Sequence, residues 1–290
     1  MSEGAEAKAG TSYLMDIVRR ADRPRYVATL FAPRAVREDL FALYAFAAEI
    51  ARIPDAVTDP ALGEIRLAWW RERLEGGAAE GGEGSPVLQA LFATIERHLL
   101  PIPALVALVD ARSFDLYADP PADGEALEAF FGETESAVFQ FAGLVLGARG
   151  PEIADASGHA GIAYGLSRRL ARFAHDRSRG RCILPATILA RHGLTAADVF
   201  GPKAPPSLAA AIGEASALAE SHLRKARNAL RTAPSATRPA FLPLAVVSPL
   251  LGRIEARLRQ GEEPDGDVSR LATLTRIAWA AMRGDRRRAG

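Results

Sequence analysis

Apolar side chains recur every three to four residues along most of this chain, and the recurrence predicts one helix after another. It is clear over 12–22, 34–52, 60–75, 86–99, 102–117, 124–147, 152–175, 206–232, 240–260 and 267–283. No run of four to eight residues alternates apolar and polar with β-branched enrichment, so no strand is expected. The helical pattern is interrupted at Pro24, at Pro33, and by the glycine- and proline-rich stretches 76–86, 101–103, 119–124, 147–151 and 201–207. Residues 76–86 read as a mobile surface loop between helices. Asp123 stands where a helix N-cap is expected, and Thr195 with Asp198 forms a capping-box pattern with Asp in place of Glu. No internal repeat of fixed period occurs. The expectation is one all-α domain over 12–283, with a disordered segment 1–11 before it and a basic tail 284–290 after it.

Composition narrows the classes of function. With 290 residues, 49% hydrophobic and 24% charged, the chain can bury a sizeable core. Only 7% of the residues are aromatic, so that core must be mostly aliphatic. A net charge of +1 gives no global attraction to nucleic acid or to an anionic surface. One cysteine, Cys182, excludes an internal disulfide and a cysteine-based zinc site, and fits a reducing compartment. The first residues lack the apolar stretch of a secretory signal and the arginines of a transit peptide. The most apolar run, 241–252, is interrupted by Pro243 and Pro249 and reads as too short to span a bilayer. A cytoplasmic location is expected, with peripheral contact at the inner face of a membrane as a weak electrostatic option for the tail.

Two stretches carry candidate chemistry. In "YAFAAEIARIPDAVTDP", residues 44–60, a helical pattern meets Pro54 just before Asp55. In "YGLSRRLARFAHDRSRGRCILP", residues 164–185, six arginines crowd one region: Arg168, Arg169, Arg172, Arg177, Arg179 and Arg181. Asp176 is the one acid among them. Arg168, Arg172 and Asp176 are spaced four apart and share a helix face. Such a cluster is either a solvated basic face or an anion site, since guanidinium offers planar bidentate donors to phosphate.

With "RYVATLFAPRAVREDLFALYAF", "IRLAWWRERLEG", "GRCILP" and "LARHGLT" in this order, the chain resembles the squalene/phytoene synthase family from about residue 20 to 255. The resemblance implies an isoprenoid-synthase-like helical bundle with a central cavity. In the enzymes, two aspartate-rich motifs on facing helices hold Mg²⁺ against the diphosphates of two prenyl substrates. Magnesium neutralises a diphosphate leaving group as its carbon–oxygen bond breaks, and this needs clustered carboxylates. The first motif falls at 51–55, where Ala51 and Arg52 replace acids and Asp55 alone matches. The second falls at 172–176, where Arg172 and His175 replace acids and Asp176 remains. Arg172 and Asp176 are expected to pair with each other rather than to hold a divalent cation, and Pro54 is expected to aim Asp55 poorly.

This loss resembles a non-enzymatic branch of the family that includes an assembly factor for respiratory complex I. The leading expectation is therefore a protein that binds an isoprenoid, a lipid or a respiratory-complex subunit, with no cofactor and no nucleic acid. Its rival is an active transferase joining two prenyl diphosphates with Mg²⁺ held by Asp55, Asp59 and Asp176, helped by Glu49, Asp115 or Glu133. A third option keeps a phosphate ligand without metal, held by Arg168, Arg172, His175, Arg179 and Arg181. Tyr44, Trp70, Phe139 and Tyr164 are the candidates for the cavity wall. The five histidines show no H-x-x-x-H spacing, so a histidine metal site is not expected.

Overall fold

The computed structural model describes residues 3–81, 85–148, 151–201, 205–266 and 268–286. Among them the secondary structure is helical throughout, with no strand. The first half comprises α1 (Glu3–Ala21), α2 (Arg23–Thr29), α3 (Arg37–Ala56), α4 (Pro60–Gly81), α5 (Pro86–His98), α6 (Ile102–Ala111), α7 (Gly124–Phe131) and α8 (Ala137–Val145). The second half comprises α9 (Ala154–Ala171), α10 (Phe173–Ser178), α11 (Ala186–Arg191), α12 (Ala196–Phe200) and α13 (Pro206–Ala229). It ends with α14 (Arg238–Phe241), α15 (Val247–Arg259) and α16 (Arg270–Arg286).

Local sequence explains most boundaries. Asp123 caps α7 by accepting from the Ala126 amide at 2.9 Å, and Thr195 and Asp198 form a reciprocal capping box on α12. Asp22 caps α2, accepting from the Arg25 amide at 3.0 Å, with Pro24 in the first turn. Pro24 thus helps to begin a helix, whereas the hydrophobic pattern alone marks it only as a break. Pro54 does not end α3 at residue 52. It falls in the last turn, and the helix runs on to Ala56 before Val57 turns extended.

Four long predicted helices are interrupted, the 240–260 pattern by a 3₁₀ turn, Leu242–Val246, between α14 and α15. The 124–147 pattern contains a π-helical segment, Gly132–Ser136, between α7 and α8. The 152–175 pattern breaks at Arg172, and the 102–117 pattern passes into a 3₁₀ turn, Arg112–Leu116. At the N-terminus, α1 starts at Glu3, within the segment expected to be disordered. Within the predicted loop 76–86, α4 continues to Gly81 across a kink at Gly77; residues 82–84 lie outside the described residues. So do 287–290 of the basic tail, whose first residues extend α16. The apolar run 241–252 belongs to a longer helical stretch, Ser235–Arg259. By length and composition that stretch suffices to cross a membrane, but 56% of its apolar window is buried in the bundle.

The two central helices are α3, buried along most of its length, and α9, which packs on α13, α8, α15 and the π segment. At Gly161 the backbones of α9 and the π segment nearly touch: a Cβ there would lie 2.2 Å from the Ser136 amide nitrogen. Glycine is required at this position for lack of space. The contact fixes the π segment over the bundle interior, which decides where its side chains point.

Candidate functional site

A cleft of about 290 Å³ opens between α2, α3, the 112–116 turn, the π segment, α9 and α10. Small residues on α3 (Ala47, Ala48, Ala51) and Gly165 on α9 leave the space. Its lining holds seven arginines (25, 52, 112, 168, 169, 172, 181) and five carboxylates (22, 55, 115, 135, 176), a formal excess of two positive charges. All five carboxylates are ion-paired to arginine.

In the outer layer, Asp55 at the end of α3 faces Asp176 on α10. Two guanidiniums stand between them. Arg172 donates to Asp55 Oδ2 at 2.8 Å and lies 3.0 Å from Asp176 Oδ1. Arg181 bonds Asp55 and lies 3.4 Å from Asp176 Oδ1. The expected pairing of Arg172 with Asp176 is therefore present, extended to a four-residue bridge. Burial acts to raise the Asp55 pKa, but the hydrogen bonds from Arg172 and Arg181 outweigh it and hold the carboxyl well below its usual range. Half-exposed His175 reaches to 3.6 Å from Asp55. Asp55, His175 and Asp176 bring one ligand atom each within 4.8 Å of one another. Magnesium asks for near-octahedral oxygen at about 2.1 Å. As arranged, however, the oxygens of both aspartates face guanidinium nitrogen, so the residues present do not fit that ion.

The inner layer is closed by Arg25. Its guanidinium lies 5.1–5.3 Å from the ring centres of Tyr44, Phe139 and Tyr164, a cation caged by three aromatic faces. Glu135, turned inward by the π segment, meets Arg25 at 2.8 Å and Arg112 at 3.0 Å. Burial acts to raise the Glu135 pKa, yet the charges of Arg25 and Arg112 pull it down to about 2. Asp22 accepts from the Tyr164 hydroxyl at 2.6 Å and pairs with Arg168. Asp115 is buried between Arg169 and Arg112, and they hold its carboxyl ionised against its burial.

The residues singled out in the sequence are thus only partly gathered. Tyr44, Arg168, Arg172, Arg181, Asp55 and Asp176 line the cleft, with His175 at its mouth. Phe139 and Tyr164 stand behind Arg25 instead of forming open wall. Trp70 is elsewhere, buried edge-on against Phe46, while Trp69 is the partly exposed member of the pair. Asp59 is exposed and caps α4 through the Ala61 amide at 2.9 Å, so it is not near the cleft acids as a ligand. Arg179 donates to the Val57 carbonyl at 2.9 Å, closing the end of α3, and is not among the residues that line the cleft. Glu49 pairs with Arg52 at 3.0 Å, and Glu133 points to solvent. Sequence reasoning missed Asp22, Arg25, Arg112 and Glu135. An Asp two residues before a proline signals the first pair; no 3.6-residue pattern could place Glu135, because the π turn shifts its register.

The squalene/phytoene synthase family model matches residues 18–276. Complex I assembly factor 6 of Homo sapiens (NADH dehydrogenase, ubiquinone) is 26% identical over 254 residues, 88% of this chain and 76% of that protein. A presqualene diphosphate synthase of Rhodopseudomonas palustris is 28% identical over 193 residues, 65% of this chain and 68% of that one. The fold matches the crystal structure of squalene synthase HpnC from Alicyclobacillus acidocaldarius with a TM-score of 0.74 at 22% identity, covering 90% of this chain and 97% of that one.

Proposed function

Because this chain belongs to the squalene/phytoene synthase family, we propose that it keeps the synthase fold as a binding body without prenyl transfer, in the manner of a respiratory complex I assembly factor. One observation carries the proposal: the guanidiniums of Arg172 and Arg181 lie between Asp55 and Asp176, where a diphosphate-bound cation would be needed. A cleft with two excess positive charges and every acid already paired has no electrostatic reason to recruit magnesium. Its volume of about 290 Å³ also lies at the lower bound for a single drug-sized ligand and well short of two prenyl chains. The likeness to complex I assembly factor 6 over most of both chains supports the same function.

Residual prenyl transfer is favoured by one observation, the close approach of ligand atoms from Asp55, His175 and Asp176. Deleting the chain in its own cells separates the two. An assembly role predicts loss of assembled NADH dehydrogenase with unchanged squalene- and phytoene-type products. Loss of such a product with NADH dehydrogenase intact contradicts it.

A further inference from the structure

The cleft leaves the opposite features of α16 unexplained. This helix lies on α2 and the turn at 242–246, burying Thr273 and Ile277. Its other side carries Leu271, Leu274, Trp279 and Met282, which are 71%, 47%, 52% and 56% exposed. Offsets of three, eight and eleven residues put all four on one stripe of the helix. Single exposed apolar residues are ordinary, but four large ones on one stripe form a patch. Arg276 and Arg283 flank the stripe, and the Arg283 guanidinium lies 3.4 Å from the centre of the Trp279 ring.

Beside the stripe runs a groove of about 830 Å³ between the end of α13, α14 and α16, floored by Phe241, Leu242 and Leu244. Arg227, Arg238, Arg276 and Arg283 line it, and no carboxylate does. Among the described residues none of these four arginines forms an ion pair. The cleft is the opposite case, since each of its acids is met by arginine. An apolar stripe that includes a tryptophan, edged by arginines without an ion-pair partner among the described residues, has the chemistry of a helix lying in a bilayer interface, with its apolar side chains below the anionic headgroups. We infer that the outer face of α16 and the adjoining arginine-lined groove dock this protein on an anionic phospholipid bilayer.

The test is flotation of the full chain with vesicles of equal phosphatidylglycerol and phosphatidylcholine against vesicles of phosphatidylcholine alone, in 50 mM and 500 mM salt. Partitioning should be about tenfold or more greater on the anionic vesicles and should fall in high salt. Arg276→Glu with Arg283→Glu should lower it at least about tenfold, through charge, and Trp279→Ser with Met282→Ser should do so through lost insertion. All four positions are exposed, so thermal melts of the variants should match the parent. No binding to anionic vesicles, equal binding to both kinds, or variants that bind like the parent would each overturn the inference. So would a parent that is dimeric by light scattering, whose variants are monomeric, and which ignores vesicles: the face would then join two copies of this chain.

Discussion

Replacing Arg181 by alanine removes one of the two guanidiniums that bridge Asp55 and Asp176. The arginine side chain is 10% exposed and Asp176 is 3% exposed, so the broken contact lies inside the protein. Removing one partner of a buried ion pair costs about 3–5 kcal/mol. Two features reduce that here: Asp176 retains Arg169 at 2.8 Å and Arg172 at 3.0 Å, and Asp55 is partly open to water. A loss of about 2–3 kcal/mol follows. With an unfolding entropy of about 2.1 cal/mol/K per residue, a chain of 290 residues should then melt about 3–5 °C lower. Adding Arg172→Ala removes both bridging guanidiniums and brings the cleft from two excess positive charges to none. The effects should be non-additive, because both arginines serve the same two carboxylates. The double variant should gain melting temperature in about 10 mM Mg²⁺ by mass action, while the parent should not respond. Melts in EDTA and in magnesium read both effects. A single variant that melts with the parent, or a parent stabilised by magnesium as much as the double variant, refutes the reasoning.

Two further outcomes follow from the same interior. The pKa of Glu135 is lowered from 4.5 to about 2, so its contribution is fully present above about pH 4.5 and is lost as pH falls towards 2. At about 1.4 kcal/mol per unit this is roughly 3 kcal/mol, and urea unfolding across pH 6 to 2.5 should show a steeper loss in the parent than in Glu135→Gln; parallel curves would contradict it. Gly161→Ala drives a methyl group to 2.2 Å from the Ser136 amide nitrogen and should cost about 3 kcal/mol in urea unfolding; a change within about 0.5 kcal/mol would show that α9 and the π segment can part freely.

The helical class and most helix spans were legible because amphipathic periodicity is a local property of the chain. So were Asp55, Arg172 and Asp176, which stand at motif positions, and the i,i+4 pairing of the last two. Other parts of the site arise from tertiary structure. Arg181 stands out in the sequence as a candidate phosphate donor, but its pairing with Asp55 does not, because only folding brings together residues 126 positions apart. Arg25 was hidden because Pro24 read as a stop, although Asp22 before it marks a helix start. Glu135 depends on a π turn that exists where α9 presents Gly161 and Gly165 to it. Trp70 shows the converse: a helix pattern gives its buried face but not the neighbour it meets, which here is Phe46.

The most direct measurement is product formation by the purified chain incubated with farnesyl or geranylgeranyl diphosphate and Mg²⁺. With Arg172 and Arg181 holding Asp55 and Asp176, no condensed prenyl product should form above the level without protein. Squalene-, presqualene- or phytoene-type product made with repeated turnover, and abolished by EDTA, would contradict the account.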